Sequence, residues 1–182
     1  AGLEYVDATG ALRTVRRGDP DFDGSVVALG ALGVTTHVTL DLEPTYDVRQ
    51  DLYVDLPWEV ALANLDTLTA TGASVSLFTD WASGRVAQVW VKSRGTEPPP
   101  TLHGAAAATG TLHMLAGADV AAVTEQGGVP GPWHERLPHF RMAFTPSRGE
   151  ELQREYLVPR AHAPAAVEAL LALAPGFAPL LQ

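Results

Sequence analysis

The sequence predicts an α+β fold: a largely antiparallel sheet flanked by helices. Three observations carry this reading. Residues Val34 to Leu42 alternate strictly, with Val34, Thr36, Val38, Leu40 and Leu42 on one face and Thr35, His37, Thr39 and Asp41 on the other. Neighbouring strand-like runs are joined by short turns, as in Leu3–Arg17 and Ser74–Lys92. Helical patterns fall between these runs rather than after every strand, which argues against a doubly wound parallel sheet.

In chain order, LEYVD and ALRTVRR flank Ala8-Thr9-Gly10 as a hairpin, with Gly10 supplying a positive φ. Asp19 as N-cap and Pro20 at the first helical position open a helix carrying Phe22, Val26, Val27 and Leu29, with Gly30 as its stop. The strand from Val34 follows and ends before Pro44. Asp47–Leu56 reads as a strand, and Pro57 begins a helix with a stripe of Trp58, Leu62, Leu65 and Leu68, closed by Gly72. Ser74–Thr79 and Val86–Lys92 pair around Asp80–Arg85. Between Ser93 and Pro138 no periodicity is sustained, and so long an irregular connection implies an ordered functional or packing loop. His139–Thr145 and Leu152–Val158 read as a strand pair, and a last helix runs from Pro164 to about Pro175-Gly176.

The chain has 182 residues, without internal repeats or a linker able to separate two stable domains; residues 1–44 differ in character from the rest. Its formal charge of −9 argues against nucleic acid, which demands clustered cations, and against anionic membrane surfaces. With 46% hydrophobic and 18% charged residues, a packed core is affordable. The absence of cysteine excludes disulfides and thiolate chemistry. No apolar run approaches the roughly 18–20 residues of a membrane span, and no signal peptide is visible, so a cytoplasmic protein is expected. The start without Met, directly in a strand-like run, and the apolar close at FAPLLQ lead us to expect a piece of a longer protein.

Self-contained catalytic motifs fail on spacing. His134 and His139 lie five apart with Pro138 between them, so even on a helix they would point about 140° apart, and no metal is expected. Asp19, Asp21, Asp23 and Gly24 imitate a calcium loop until its twelfth position, where Gly30 stands instead of Glu. Gly30-Ala31-Leu32-Gly33 is neither a dinucleotide fingerprint nor a P-loop, and no Gly-x-Ser-x-Gly elbow exists. Trp58, Trp81, Trp90 and Trp133 read as core before they read as a sugar or flavin platform.

One segment, Thr124-Glu125-Gln126-Gly127-Gly128-Val129-Pro130-Gly131-Pro132-Trp133-His134-Glu135-Arg136-Leu137-Pro138-His139-Phe140-Arg141, closely resembles the FAD-dependent alditol (xylitol) oxidases, vanillyl-alcohol-oxidase-type flavoproteins related to the aldonolactone oxidases. Asp19–Phe22 and Leu29–Thr36 resemble the end of that family's FAD-binding domain. Ser76–Trp81, Gly149–Gln153, Glu155-Tyr156 and Pro159 resemble its substrate domain. The resemblance implies an end of the FAD-binding domain at residues 1–44 and a C-terminally incomplete substrate-binding domain at 45–182. It implies oxidation of a terminal polyol hydroxyl to an aldehyde, with O2 giving H2O2. Gly33 and Val34 are the cofactor-binding residues it carries over, as backbone and apolar contacts to FAD.

The family's other machinery does not map onto this chain. Its flavin-linking histidine motif is missing, the sequence reaches Leu180-Leu181-Gln182 without the substrate-handling Glu-x-Arg, and Lys92 does not match the site lysine. No catalytic residue is therefore expected here, and the chain alone is expected to be inactive, without bound FAD, and prone to self-association through exposed apolar surface. The competing readings are a sugar-lactone oxidase of the same superfamily and a non-catalytic sugar- or protein-binding module.

Overall fold

The computed structural model describes residues 1–97, 101–115, 117–138 and 154–181. Two compact units divide the chain, Ala1–Pro44 and Thr45–Gln182.

In the first unit, β1 (Gly2–Val6) is the centre of a three-stranded antiparallel sheet, between β2 (Leu12–Arg16) and β3 (Val34–Thr39). Gly2 faces Arg16 and Val6 faces Leu12 across the hairpin. The turn is organised by Asp7, whose carboxylate accepts from the Thr9 hydroxyl (2.6 Å), the Thr9 and Ala11 amides and the Arg13 guanidinium (2.7 Å). α1 (Phe22–Val26) is shorter than its pattern suggests and starts after Asp21. Asp19 instead accepts from the Arg16 amide, which ties the end of β2 to the helix start. All six residues of β3 are exposed, and so are Leu40 and Leu42 beyond it. The alternation that identifies this strand therefore marks an apolar face that nothing in the unit covers.

The second unit is built on a longer sheet. β4 (Asp47–Pro57) and β6 (Arg85–Arg94) pair antiparallel from Val48↔Arg94 to Pro57↔Arg85, and β5 (Ser74–Phe78) pairs with the outer side of β6. The other edge of β4 takes two short strands, β7 (Ala106–Ala107) at Tyr53 and Val54, and β8 (Gly131–Pro132) at Asp47 and Val48. One sheet face is apolar: Val89 and Val91, with Tyr53, Val75 and Leu77, pack against Leu56, Trp58, Ala61, Leu68 and Leu102. Val167 and Leu171 of α5 (Ala163–Phe177) join this core.

Several sequence expectations are corrected. The helix after Pro57 is two helices, α2 (Trp58–Ala63) and α3 (Leu65–Thr69), broken at Asn64, whose side-chain amide donates to the Val60 carbonyl. This is the side-chain competition that disfavours Asn inside helices. α4 (Trp133–Arg136) is a single turn where no periodicity was legible. Helix α5 ends at Phe177, beside the expected Pro175-Gly176 and so in agreement with that expectation, with Pro175 inside its last turn. Proline in the last turn removes one hydrogen bond without stopping the chain. With its flanking 3-10 turns it forms a stretch of 21 residues, Arg160–Leu180, in which an 18-residue window reaches a mean hydropathy of 1.4, long and apolar enough by length and composition to cross a membrane. The expectation that nothing approaches such a length is thus overturned. Of the expected strand pair, 139–153 lies outside the described residues, and 154–158 has no regular structure.

The Asp7 carboxyl is held well below the usual carboxylate range, first by the Thr9 hydroxyl and then by Arg13. A depressed native value adds stability above the unfolded value of about 4 and loses it as the pH falls. Amides of the β1–β2 hairpin are therefore expected to exchange faster as the pH drops below about 4, after correction for intrinsic rates. Asp7→Asn should flatten that acid dependence in hydrogen-exchange measurements, and an unaltered profile would contradict the turn's role.

Candidate functional site

The two expected cofactor residues sit at the start of β3. Gly33 has φ +142°, and a Cβ there would overlap the Val6 carbonyl oxygen. Close approach to β1 thus accounts for the glycine without any ligand. Val34 pairs with Val6 through its backbone and leaves its side chain 72% exposed. β3 is also an edge strand, so its outer backbone side lies open. Val34 offers an exposed apolar side chain, while the position of Gly33 is set by the fold.

The segment that carries the family resemblance is a strap across β4. The Thr124 hydroxyl donates to Gln50 Oε1 (3.0 Å), and Gly128 donates its amide to the Gln50 carbonyl (2.9 Å). A Cβ on Gly128 would run into the guanidinium of Arg49, which is held against Asp51 by paired contacts of 2.7 and 2.5 Å. Gln126 closes on the Leu112 backbone, donating to its carbonyl and accepting from its amide. Farther along, buried Arg136 reaches Glu125 (2.7 Å) and donates to the carbonyls of Val129 and Pro130. Trp133 donates its amide to Tyr46 and stacks on the Tyr46 ring. The glycines, the proline run and the arginine of this motif thus have structural work: they wrap the strap over charged side chains and satisfy its carbonyls.

Among the described residues no group of three or more metal-ligating side chains comes together. His134 lies edge-on to Trp133, and His139 is outside the described residues. Trp58 and Trp90 are buried, in agreement with a core role. Trp81 stacks on Trp58 at 6.0 Å and lines, with Leu171, Ala174 and Pro175, an open apolar groove of about 600 Å³.

Sequence reasoning missed a polar patch on the sheet face away from the core. Lys92 of β6 lies directly opposite Gln50 of β4 and Ser74 of β5. Gln50 is fully buried and its Nε2 has no hydrogen-bond partner among the described residues. Burial pushes the Lys92 ammonium below its ordinary value. The available signal was glutamine in the phase of β4 otherwise held by Val48 and Leu52.

Three substitutions test these assignments. Gly33→Ala should destabilise the first unit by about 1–3 kcal/mol, whether or not a cofactor is present, through strain against Val6. Gly24→Ala, where an added Cβ meets nothing, should be neutral or slightly stabilising in thermal denaturation. In the strap, Arg136→Met strands the Val129 and Pro130 carbonyls and should cost about 1–3 kcal/mol in urea unfolding; an unchanged midpoint would remove Arg136 as its anchor.

No family model matches the chain. It is 50% identical over 182 residues to the alditol oxidase of Streptomyces sp. (strain IKD472 / FERM P-14339), a match covering 99% of this chain. The chain spans 43% of that protein's length. With antiparallel sheets flanked by helices and half of its residues identical across nearly the whole match, the chain is consistent with a fragment of the alditol oxidase family.

Proposed function

We propose that this chain is part of an FAD-dependent oxidase that converts the terminal hydroxyl of an alditol, of the xylitol or sorbitol type, to an aldehyde. The observation that carries the reading is identity at half of all positions along the whole match to an alditol oxidase. In the reaction R-CH2OH + O2 → R-CHO + H2O2, the alcohol is oxidised by two electrons and O2 is reduced by two. FAD, when bound, supplies the two-electron chemistry between them. Residues 1–44 are read as the end of the FAD-binding domain and 45–182 as part of the substrate-binding domain. Val34, with its exposed side chain and open strand edge, offers the cofactor an apolar contact, and Gly33 brings the backbone there.

What this chain contributes is scaffold. No described residue combines the acid, base and acceptor groups that would act on a hydroxymethyl group. The uncovered apolar residues of the first unit, with Leu29 fully exposed and Leu42 92% exposed, support packing against further polypeptide. The same residues support self-association of the chain when it is alone.

A longer protein carrying this chain is expected to show flavin absorbance and, with xylitol or sorbitol, to consume O2 and release equimolar H2O2. Preference for galactonolactone would replace the alditol reading with the lactone one. The 182 residues alone should be colourless, inactive and silent towards xylitol in calorimetry. Saturable xylitol binding by them would favour the non-catalytic binding module.

A further inference from the structure

We propose that Lys92 and Gln50 form a carboxylate-binding site on the sheet face opposite the apolar core. The two residues face each other across the β4–β6 ladder, and such pairs place their Cβ atoms about 4.5–5.5 Å apart on one face. Thr124 fixes the orientation of the Gln50 amide by donating to its oxygen, which commits Nε2 to a different partner. That nitrogen is fully buried and has none among the described residues. Lys92 has no hydrogen-bond or ion-pair partner among the described residues, although it is half-buried.

The surroundings explain what is missing. Ser74 lies on one side of Lys92, Arg94 and Trp90 lie two positions along β6 on the same face, and Thr124 and Gly128 cover Gln50. None of these is a carboxylate. The nearby acid on β4, Asp51, points to the other face and is already held by Arg49. Among the described residues the patch thus presents an unpaired amide donor and a cation, with hydroxyls nearby but no carboxylate. Buried donors demand partners, and a carboxylate supplies two acceptor oxygens and the compensating charge in one planar group. Its source is either an Asp or Glu side chain of flanking polypeptide or a small carboxylate ligand. The site is independent of the alditol reading, because its test involves neither flavin nor polyol.

Lys92 is the sole lysine of the chain, so reductive methylation with ¹³C gives one lysine resonance, distinct from the N-terminal amine, and preserves its charge. Acetate should shift that resonance saturably, whereas chloride at equal ionic strength should not. Gln50→Glu places the carboxylate in the site with the Thr124 contact retained. It should raise the Lys92 titration midpoint by about one to three pH units and abolish the acetate response. In a longer protein carrying the flanking sequence, a raised midpoint without acetate assigns the carboxylate to the polypeptide; a retained acetate response assigns it to a free ligand. An acetate effect no different from that of chloride, or a Gln50→Glu variant whose Lys92 titrates as before, would overturn the proposal.

Discussion

The antiparallel pairing of β4 with β6 is the constraint on which the rest of the second unit depends. It runs from Val48↔Arg94 to Pro57↔Arg85 without a change of register, and every other piece of the sheet attaches to one of these two strands. Because successive side chains alternate in direction, the ladder places Tyr53, Val89 and Val91 on the core side and sets Gln50 and Lys92 among buried Val48, Leu52 and Trp90 on the other. Val89 and Val91 build the core with the helices, while Gln50 and Lys92 meet on the other side. A slip of one residue in that register would exchange the two sets, so core and polar patch are consequences of a single alignment.

The strap from Thr124 to Leu137 is attached to the same ladder. Its hydrogen bonds end on Gln50 and Tyr46, its short strand pairs with Asp47 and Val48, and its glycine passes over the Arg49–Asp51 pair. This explains how a stretch rich in glycine and proline holds a defined path without extended secondary structure. Buried Arg136 satisfies carbonyls that the irregular backbone cannot pair within itself. The stretch that carries the family resemblance is therefore a structural device in this chain.

The first unit presents the opposite situation. Forty-four residues provide little interior, and the sheet β2-β1-β3 leaves Leu29, Val34, Leu40 and Leu42 in water. Small units bury a low fraction of their apolar surface, and a face of this kind is ordinarily covered by another element. What holds the unit together is a pair of local links, the Asp7 turn and Asp19 on Arg16, and the β1–β3 ladder with its close contact of Gly33 on Val6. That last contact gives the glycine of the expected cofactor turn a reason that precedes any cofactor.

The sequence by itself determined what depends on neighbours along the chain. Alternation marked β3 and β4, Gly10 and Asp80–Arg85 marked the hairpins, and Pro57 and Pro164 marked helix starts. It also excluded cysteine chemistry and a zinc-binding pair of histidines, because composition and spacing are themselves local facts. Local hydrogen bonds that periodicity does not register split one helix at Asn64 and close the strap on Arg136. Tertiary structure alone brought Gln50, Lys92 and Thr124 together from three distant segments. The physical reason is that strand register and buried hydrogen-bond demand arise from contacts between residues far apart in the chain, for which periodicity and spacing carry no signal.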